Sequence, residues 1–69
     1  MNELTVIVNG ATRQVPAPAT ARRLLEHLAL DPRGVVVEIN QRIIRRPQLD
    51  DAHLAEGDRI EIVHFVGGG

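Results

Sequence analysis

One segment of this sequence, residues 20–30, has the periodicity of an amphipathic helix, and this constrains the fold more than any other feature. The apolar members of the segment recur at helical spacing; they are Ala21, Leu24, Leu25 and Leu28. Thr20 is the expected N-cap, because its hydroxyl can accept from an unpaired backbone N–H, and we expect the helix to run to about Leu30. A lone amphipathic helix must cover another element, and the rest of the sequence offers only strands.

The residues before the helix predict a β-hairpin. Residues 1–8 alternate well enough to form a strand, and Asn9-Gly10 then supplies a pair that hairpin turns favour, since both central residues of a type I′ turn need positive φ. The returning strand is expected over residues 13–15. Pro16 and Pro18 end it, because proline cannot donate to a strand ladder.

The residues after the helix predict a second strand pair and a final strand. Residues 35–40 are mostly β-branched and predict a strand, residues 42–46 are expected to form its short partner, and residues 59–65 to form the last strand. Residues 48–58 have little periodicity and are expected to be a connector with at most one helical turn. The order predicts an α+β fold of the β-grasp, ubiquitin-like type, with one mixed sheet of four to five strands packed on one helix and the last strand beside the first.

Length and composition exclude several classes of protein. The 69 residues allow one domain with one core, and the net charge of −1 with mostly scattered arginines argues against a nucleic-acid partner. There is no cysteine, and the three histidines lack ligand spacing, so no metal site is expected. No charged-then-apolar leader opens the chain, and its apolar runs are too short to cross a bilayer, so we expect a cytoplasmic protein without membrane contact.

The sequence ends in three glycines, which we expect to form a flexible tail over residues 66–69 with a carboxylate on Gly69. Another enzyme would have to convert this carboxylate to a mixed anhydride, normally with AMP from ATP, before it could react. Glycine has no Cβ to collide with a narrow channel, so Gly67 and Gly68 suit entry into such an enzyme. The activated carbonyl could then accept sulfur or an amine. The alternative is that the glycines are an expression linker or a disordered terminus.

A docking surface is predicted at the base of this tail. In the last strand, Glu61 must face water, so Val63 and Phe65, which share its parity, are expected on the open face of the sheet, joined by Ile7 from the first strand. Exposed apolar residues beside a reactive tail indicate a partner-binding surface, to which Val66 also belongs. The alternative for Phe65 is that strand twist lets it cap the edge of the core.

The closing segment "EGDRIEIVHFVGGG", residues 56–69, closely resembles the end of the ThiS family, the sulfur carriers of thiamine thiazole biosynthesis. Its Gly-Asp turn, aliphatic strand and terminal Gly-Gly recur there, and Ile39-Asn40 also fits the family's layout. The resemblance implies that Gly69 is adenylated and becomes a thiocarboxylate. The chain would be a protein cosubstrate and not an enzyme, with no bound cofactor of its own.

The same resemblance implies three partners. They are a ubiquitin-activating-like adenylyltransferase of the ThiF type, which uses ATP and Mg²⁺, a cysteine desulfurase or sulfurtransferase, and a thiazole synthase of the ThiG type. Two related functions stay open, the small subunit of molybdopterin synthase and a ubiquitin-like protein modifier. An inert β-grasp interaction module is the alternative of another class.

Overall fold

The computed structural model describes residues 2–65 of the chain. Within that range the strands are β1 Glu3–Val8, β2 Ala11–Pro16, β3 Val35–Ile39, β4 Arg42–Ile44 and β5 Arg59–His64, and the α-helix is α1 Ala21–His27. Single 3₁₀ turns cover Pro32–Gly34 and Arg46–Gln48. None of the helices in this range is long and apolar enough to cross a membrane.

The five strands form one mixed sheet in the order β2-β1-β5-β3-β4. β5 lies at the centre, parallel to β1 and antiparallel to β3. The α+β class, the mixed sheet and the placement of the last strand beside the first are therefore confirmed. β5, the strand that leads to the C-terminal residues, therefore has a neighbouring strand on each side.

The first hairpin turns as predicted, but its second strand is longer than expected. Asn9 and Gly10 have φ values of 49° and 83°, as a type I′ turn requires. Because this turn uses only two residues, pairing begins at once between Val8 and Ala11 and continues to Glu3 and Pro16. Pro16 is tolerated because β2 is an edge strand, whose outer side needs no donor.

The helix begins as predicted and ends earlier than Leu30. Thr20 Oγ1 accepts a hydrogen bond from the Arg23 N–H at 3.2 Å, which confirms the N-cap. At the other end, the Leu30 N–H donates to Leu25 O and the Ala29 N–H to Glu26 O, both at 2.9–3.0 Å, and Ala29 has a φ of 59°. This pair of bonds is a Schellman motif, which closes the helix after His27 although the apolar spacing continues.

The core lies between α1 and one face of the sheet and is aliphatic throughout. Its fully buried large side chains come from the helix, three strands and the connector; they are Leu24, Leu25, Leu49, Ile60, Val6 and Val15. The buried connector residues, Leu49 and Leu54, hold residues 48–58 against the domain. The opposite face of the sheet has no helix over it in the described part of the chain.

Candidate partner-binding site at the end of the central strand

The start of β5 is fixed by a small network of hydrogen bonds from side chains. Asp58 Oδ2 accepts from the Ala55 N–H at 2.8 Å, and Asp58 Oδ1 accepts from Asn40 Nδ2 at 3.0 Å. Asn40 Oδ1 in turn accepts from the Arg59 N–H at 3.0 Å. The Gly-Asp turn and the Ile-Asn pair noted in the sequence therefore have a structural role, which is to hold the entry to the last strand.

The second half of β5 extends beyond β1, and Asn9 bridges the gap. The Ile62 N–H donates to Asn9 Oδ1 at 2.8 Å, and Asn9 Nδ2 donates to the Ile62 carbonyl at 3.2 Å. Further on, the Phe65 N–H donates to the Gly34 carbonyl at 2.9 Å. The two Asn9 bonds replace the neighbour strand β1, and the Gly34 bond continues the pairing with β3, so the backbone is held in place as far as Phe65.

The side chains of β5 alternate between core and solvent as the sequence predicts. Ile60 and Ile62 are 1% and 6% exposed, whereas Val63 and Phe65 are 56% and 50% exposed. Phe65 is therefore not buried as a cap on the core. Val63 and Phe65 are available for contact at the place where the chain leaves the sheet.

The expected cluster of Ile7 with these two residues is not formed. Ile7 shares their face of the sheet, but the register pairs it with Arg59. Val63 lies four residues further along β5, about 13 Å away at roughly 3.3 Å per residue. The parity of Ile7 could be read from its own strand, but the parallel register between strands distant in sequence could not.

Two residues that sequence reasoning missed complete the surface instead. Val36 of β3 lies directly opposite Val63, and Ile43 of β4 lies beside Glu38 on the same face and is 60% exposed. Val36, Ile43 and Phe65 line one groove. We call Val36, Ile43, Val63 and Phe65 the apolar patch. The alternation of Ile43 with Ile44, which is core-directed, was the available sequence signal.

The apolar patch lies between charges of opposite sign. On one side Glu38 and Glu61 are directly opposite each other in neighbouring strands, and neither forms an ion pair within residues 2–65. Like charges in such a pair destabilise a sheet. On the other side, the groove that contains Phe65 is lined by arginines, among them Arg45 and Arg46. A partner surface that fits this face must place positive charge near Glu38 and Glu61 and negative charge near the arginines.

The predicted tail residues Val66, Gly67, Gly68 and Gly69 lie outside the described residues. What the structure places is their point of departure, Phe65, at the edge of the apolar patch. In the described part of the chain, no three His, Cys, Asp or Glu side chains are grouped so that they could hold a metal ion.

A hairpin, a helix across a mixed sheet and a central last strand that exits beside an exposed apolar patch define a ubiquitin-like β-grasp domain. The crystal structure of the thiamine biosynthesis protein (ThiS) from Geobacter metallireducens superposes with a TM-score of 0.81 and 29% identity, covering 96% of this chain and all of that one (100%). The ThiS family model matches residues 6–69, and the chain belongs to this family.

Two relatives show the range of proteins in which this domain occurs. The sulfur carrier protein ThiS of Bacillus subtilis is 44% identical over 50 residues, which are 72% of this chain and 76% of that protein. A thiazole synthase of Paramagnetospirillum magneticum is 36% identical over 66 residues, which are 96% of this chain. This chain spans only 20% of the length of that thiazole synthase.

Proposed function

We propose that this chain is a sulfur carrier for thiamine thiazole synthesis, acting as a protein cosubstrate and not as a catalyst. Membership of the ThiS family supports this, as does the relative named sulfur carrier protein ThiS. The observation that carries the proposal is the geometry of β5. A central strand, held by hydrogen bonds up to Phe65, ends beside an exposed apolar patch, and Val66 and three glycines follow it in the sequence.

The chemistry would take place at the carboxylate of Gly69. One carboxylate oxygen attacks the α-phosphorus of ATP, pyrophosphate leaves, and a mixed anhydride with AMP is formed. Sulfide then attacks the carbonyl carbon, the bond to the phosphate oxygen breaks, and AMP leaves a thiocarboxylate behind. No redox change is needed when the sulfur arrives as sulfide. ATP and Mg²⁺ would be bound by an adenylyltransferase of the ThiF type. The sulfur would come from a cysteine desulfurase or sulfurtransferase, whose persulfide a thiol reduces to sulfide while the two remaining sulfur atoms form a disulfide. All of these steps would take place in the cytoplasm.

The chain's own residues would supply recognition and delivery. Val63 and Phe65, with Val36 and Ile43, present apolar area to the activating enzyme, and Gly67 and Gly68 pass through its channel because they lack side chains. The chain has no cysteine, so no thiol of its own competes for the sulfur or for the activated carbonyl. The terminal carboxylate is then the group of this chain to which the transferred sulfur would be attached.

We propose a thiazole synthase of the ThiG type as the acceptor of the sulfur. In the thiazole synthase of Paramagnetospirillum magneticum, a segment similar to this chain makes up 20% of a longer protein. Two activities joined in one polypeptide commonly act on each other, and this supports the pairing. The approach to the glycines, "HFV", also lacks the proline typical of the molybdopterin branch.

Intact mass measurement tests the carrier step. The chain ending at Gly69 is incubated with the activating enzyme, ATP, Mg²⁺ and sulfide, and is expected to gain the mass of one sulfur in place of one oxygen, located at Gly69 by fragmentation. A Gly68→Val variant is expected to remain unmodified, because its branched side chain blocks the channel. An unmodified wild-type chain would mark the domain as an inert interaction module.

A second assay tests the acceptor. The thiocarboxylate form is expected to support thiazole phosphate formation with thiazole synthase, deoxyxylulose phosphate and dehydroglycine. If it instead converts precursor Z with the large subunit of molybdopterin synthase, the carrier role stands and the thiamine assignment fails. Amide-linked conjugates to other proteins would favour a modifier function.

A further inference from the structure

Half of the arginines in this protein line a single groove, and the carrier chemistry gives them no role. The groove has a volume of about 930 Å³, and its charged lining consists of Arg22, Arg33, Arg45 and Arg46, four of the eight basic residues. Among residues 2–65, no carboxylate lines it. Because the whole chain carries a net charge of −1, this concentration of positive charge is local.

Two of these arginines are neutralised and two are not. Arg22 forms an ion pair with Asp50 at 2.7 Å, and Arg33 forms one with Asp31 at 3.0 Å. The hydrogen bonds from the side chain and backbone N–H of Arg33 hold the pKa of Asp31 below its ordinary value. Arg45 and Arg46 are exposed, and within the described range neither has an ion-pair partner.

The floor of the groove is apolar and contains an open sheet edge. Phe65, Ile43 and Val36 supply the apolar surface. The pairing of β3 with β4 stops at Val37 and Ile44, because the chain turns away at Arg45 into a 3₁₀ turn. The first two residues of β3 therefore extend beyond β4.

The backbone of Val35 is the unpaired part of this edge, although the residue as a whole is only 8% exposed. The Gly34 carbonyl points to β5, where it accepts from the Phe65 N–H, and successive residues of an extended strand point their N–H and C=O groups to alternate sides. Val35 therefore directs its N–H and C=O groups away from β5 into the groove. The pairing with β4 does not reach Val35, and within residues 2–65 neither group bonds to backbone outside the strand ladders. An extended peptide can pair with such an edge.

We infer that this groove binds a short, extended, acidic segment of a partner protein, with its backbone on Val35 and its carboxylates on Arg45 and Arg46. Alternate side chains of such a segment would point to Phe65 and Ile43, so acidic and apolar residues must alternate in it. An apolar floor and a strand edge favour a peptide over a phosphate chain. The inference does not depend on sulfur transfer, since it requires only that the domain is folded.

The test uses a capped eight-residue peptide that alternates valine with glutamate, titrated into the ¹⁵N-labelled chain. We expect shifts of the amide signals of Val35 and Phe65, and weaker binding at higher salt. An Arg45→Glu, Arg46→Glu double variant is expected to bind at least about fivefold more weakly, since two ion pairs are lost and replaced by repulsion. Arg13→Glu with Arg23→Glu is the control, with the same change in charge outside the groove, and is expected to bind within about twofold of the original.

Several results would overturn the inference. They are the absence of binding, equal weakening in both double variants, shifts located elsewhere on the sheet, and tighter binding of polyphosphate than of the peptide. Sedimentation of the free chain tests the remaining possible occupant of the groove, a second copy of this chain. Association that Arg45→Glu with Arg46→Glu abolishes would assign the groove to a second copy of the chain instead of a partner.

Discussion

Neighbouring residues on β5 have opposite environments, and the contrast separates what the fold requires from what function requires. Ile60 and Ile62 face α1 and are almost completely buried, whereas Glu61 and Val63 face solvent on the open side. The buried side is aliphatic, as stability demands. The open side pairs two carboxylates and exposes a large apolar residue, neither of which helps an isolated domain. We therefore expect a partner to bind the open side.

Of the variants that compare the two sides of β5, truncation of a buried residue is expected to have the largest effect on the free energy of unfolding. Ile62→Ala leaves a cavity under α1 and is expected to lower the free energy of unfolding by about 2–5 kcal/mol. A domain of this size has only roughly 3–10 kcal/mol in total. Urea denaturation measures the loss. Val63→Ala, the adjacent residue on the open side, is the control and is expected to lose less than about 1 kcal/mol. Similar losses for the two variants would remove the distinction between the sides.

The support that Asn9 gives to the end of β5 is expected to have the next largest effect. Asn9→Gly keeps the positive φ of the turn but removes both hydrogen bonds to the backbone of Ile62, at an expected cost of about 1–2 kcal/mol. Hydrogen exchange of the Ile62 amide measures the local part of this loss. Asn2→Gly, an exposed position outside the strands, is the control and is expected to change stability by less than about 0.5 kcal/mol. An Asn9→Gly variant as stable as the original would show that water replaces the side chain without cost.

The sequence predicted which face of the sheet each side chain points to, but it did not predict how the strands align with one another. Alternation in β5 correctly placed Ile62 inside and Val63 outside, because side-chain direction follows from a period of two within one segment. The distance of Ile7 from Val63 depends on how two strands far apart in sequence align, and no local pattern encodes this. Part of the candidate site was therefore predicted, whereas the positions of Val36 and Ile43 relative to β5 came only from the register.

The elements that were missed are determined by backbone geometry. Ala29 ends α1 with a left-handed backbone, a conformation that glycine or asparagine would have signalled and alanine does not. The arginine-lined groove likewise depends on the early end of β4, which the repeated isoleucines and arginines of residues 42–46 do not reveal. Both features lie in the backbone conformation, which the pattern of side chains does not encode.

Charge reversal on the open side is expected to increase stability slightly. Glu61→Arg converts the like-charged pair with Glu38 into an ion pair across the strands, with an expected gain of about 0.3–1 kcal/mol that decreases at high salt. Glu61→Gln removes the repulsion without adding attraction, so it is expected to give a smaller gain. If both variants are less stable than the original, Glu61 contributes to folding and the open side is not reserved for a partner.

The smallest effect on stability is expected from Phe65→Asp, and this variant connects the open side to function. Phe65 follows the last strand residue and is half exposed, and its backbone bond to Gly34 needs no particular side chain, so the loss is expected to be within about 0.5 kcal/mol. In the adenylation assay, by contrast, the concentration of this variant needed for half-maximal rate is expected to rise at least about fivefold, because an apolar anchor is replaced by a charge.

Ile7→Thr is the matched control, since Ile7 lies on the same face about 13 Å from Val63, at roughly 3.3 Å per residue of β5, and threonine keeps a β-branched side chain. It is expected to leave adenylation within about twofold of the original, whatever it costs in stability. Equal loss of adenylation in both variants would show that the binding surface reaches β1 and includes Ile7. Unfolding of the Phe65→Asp chain would place Phe65 in the core.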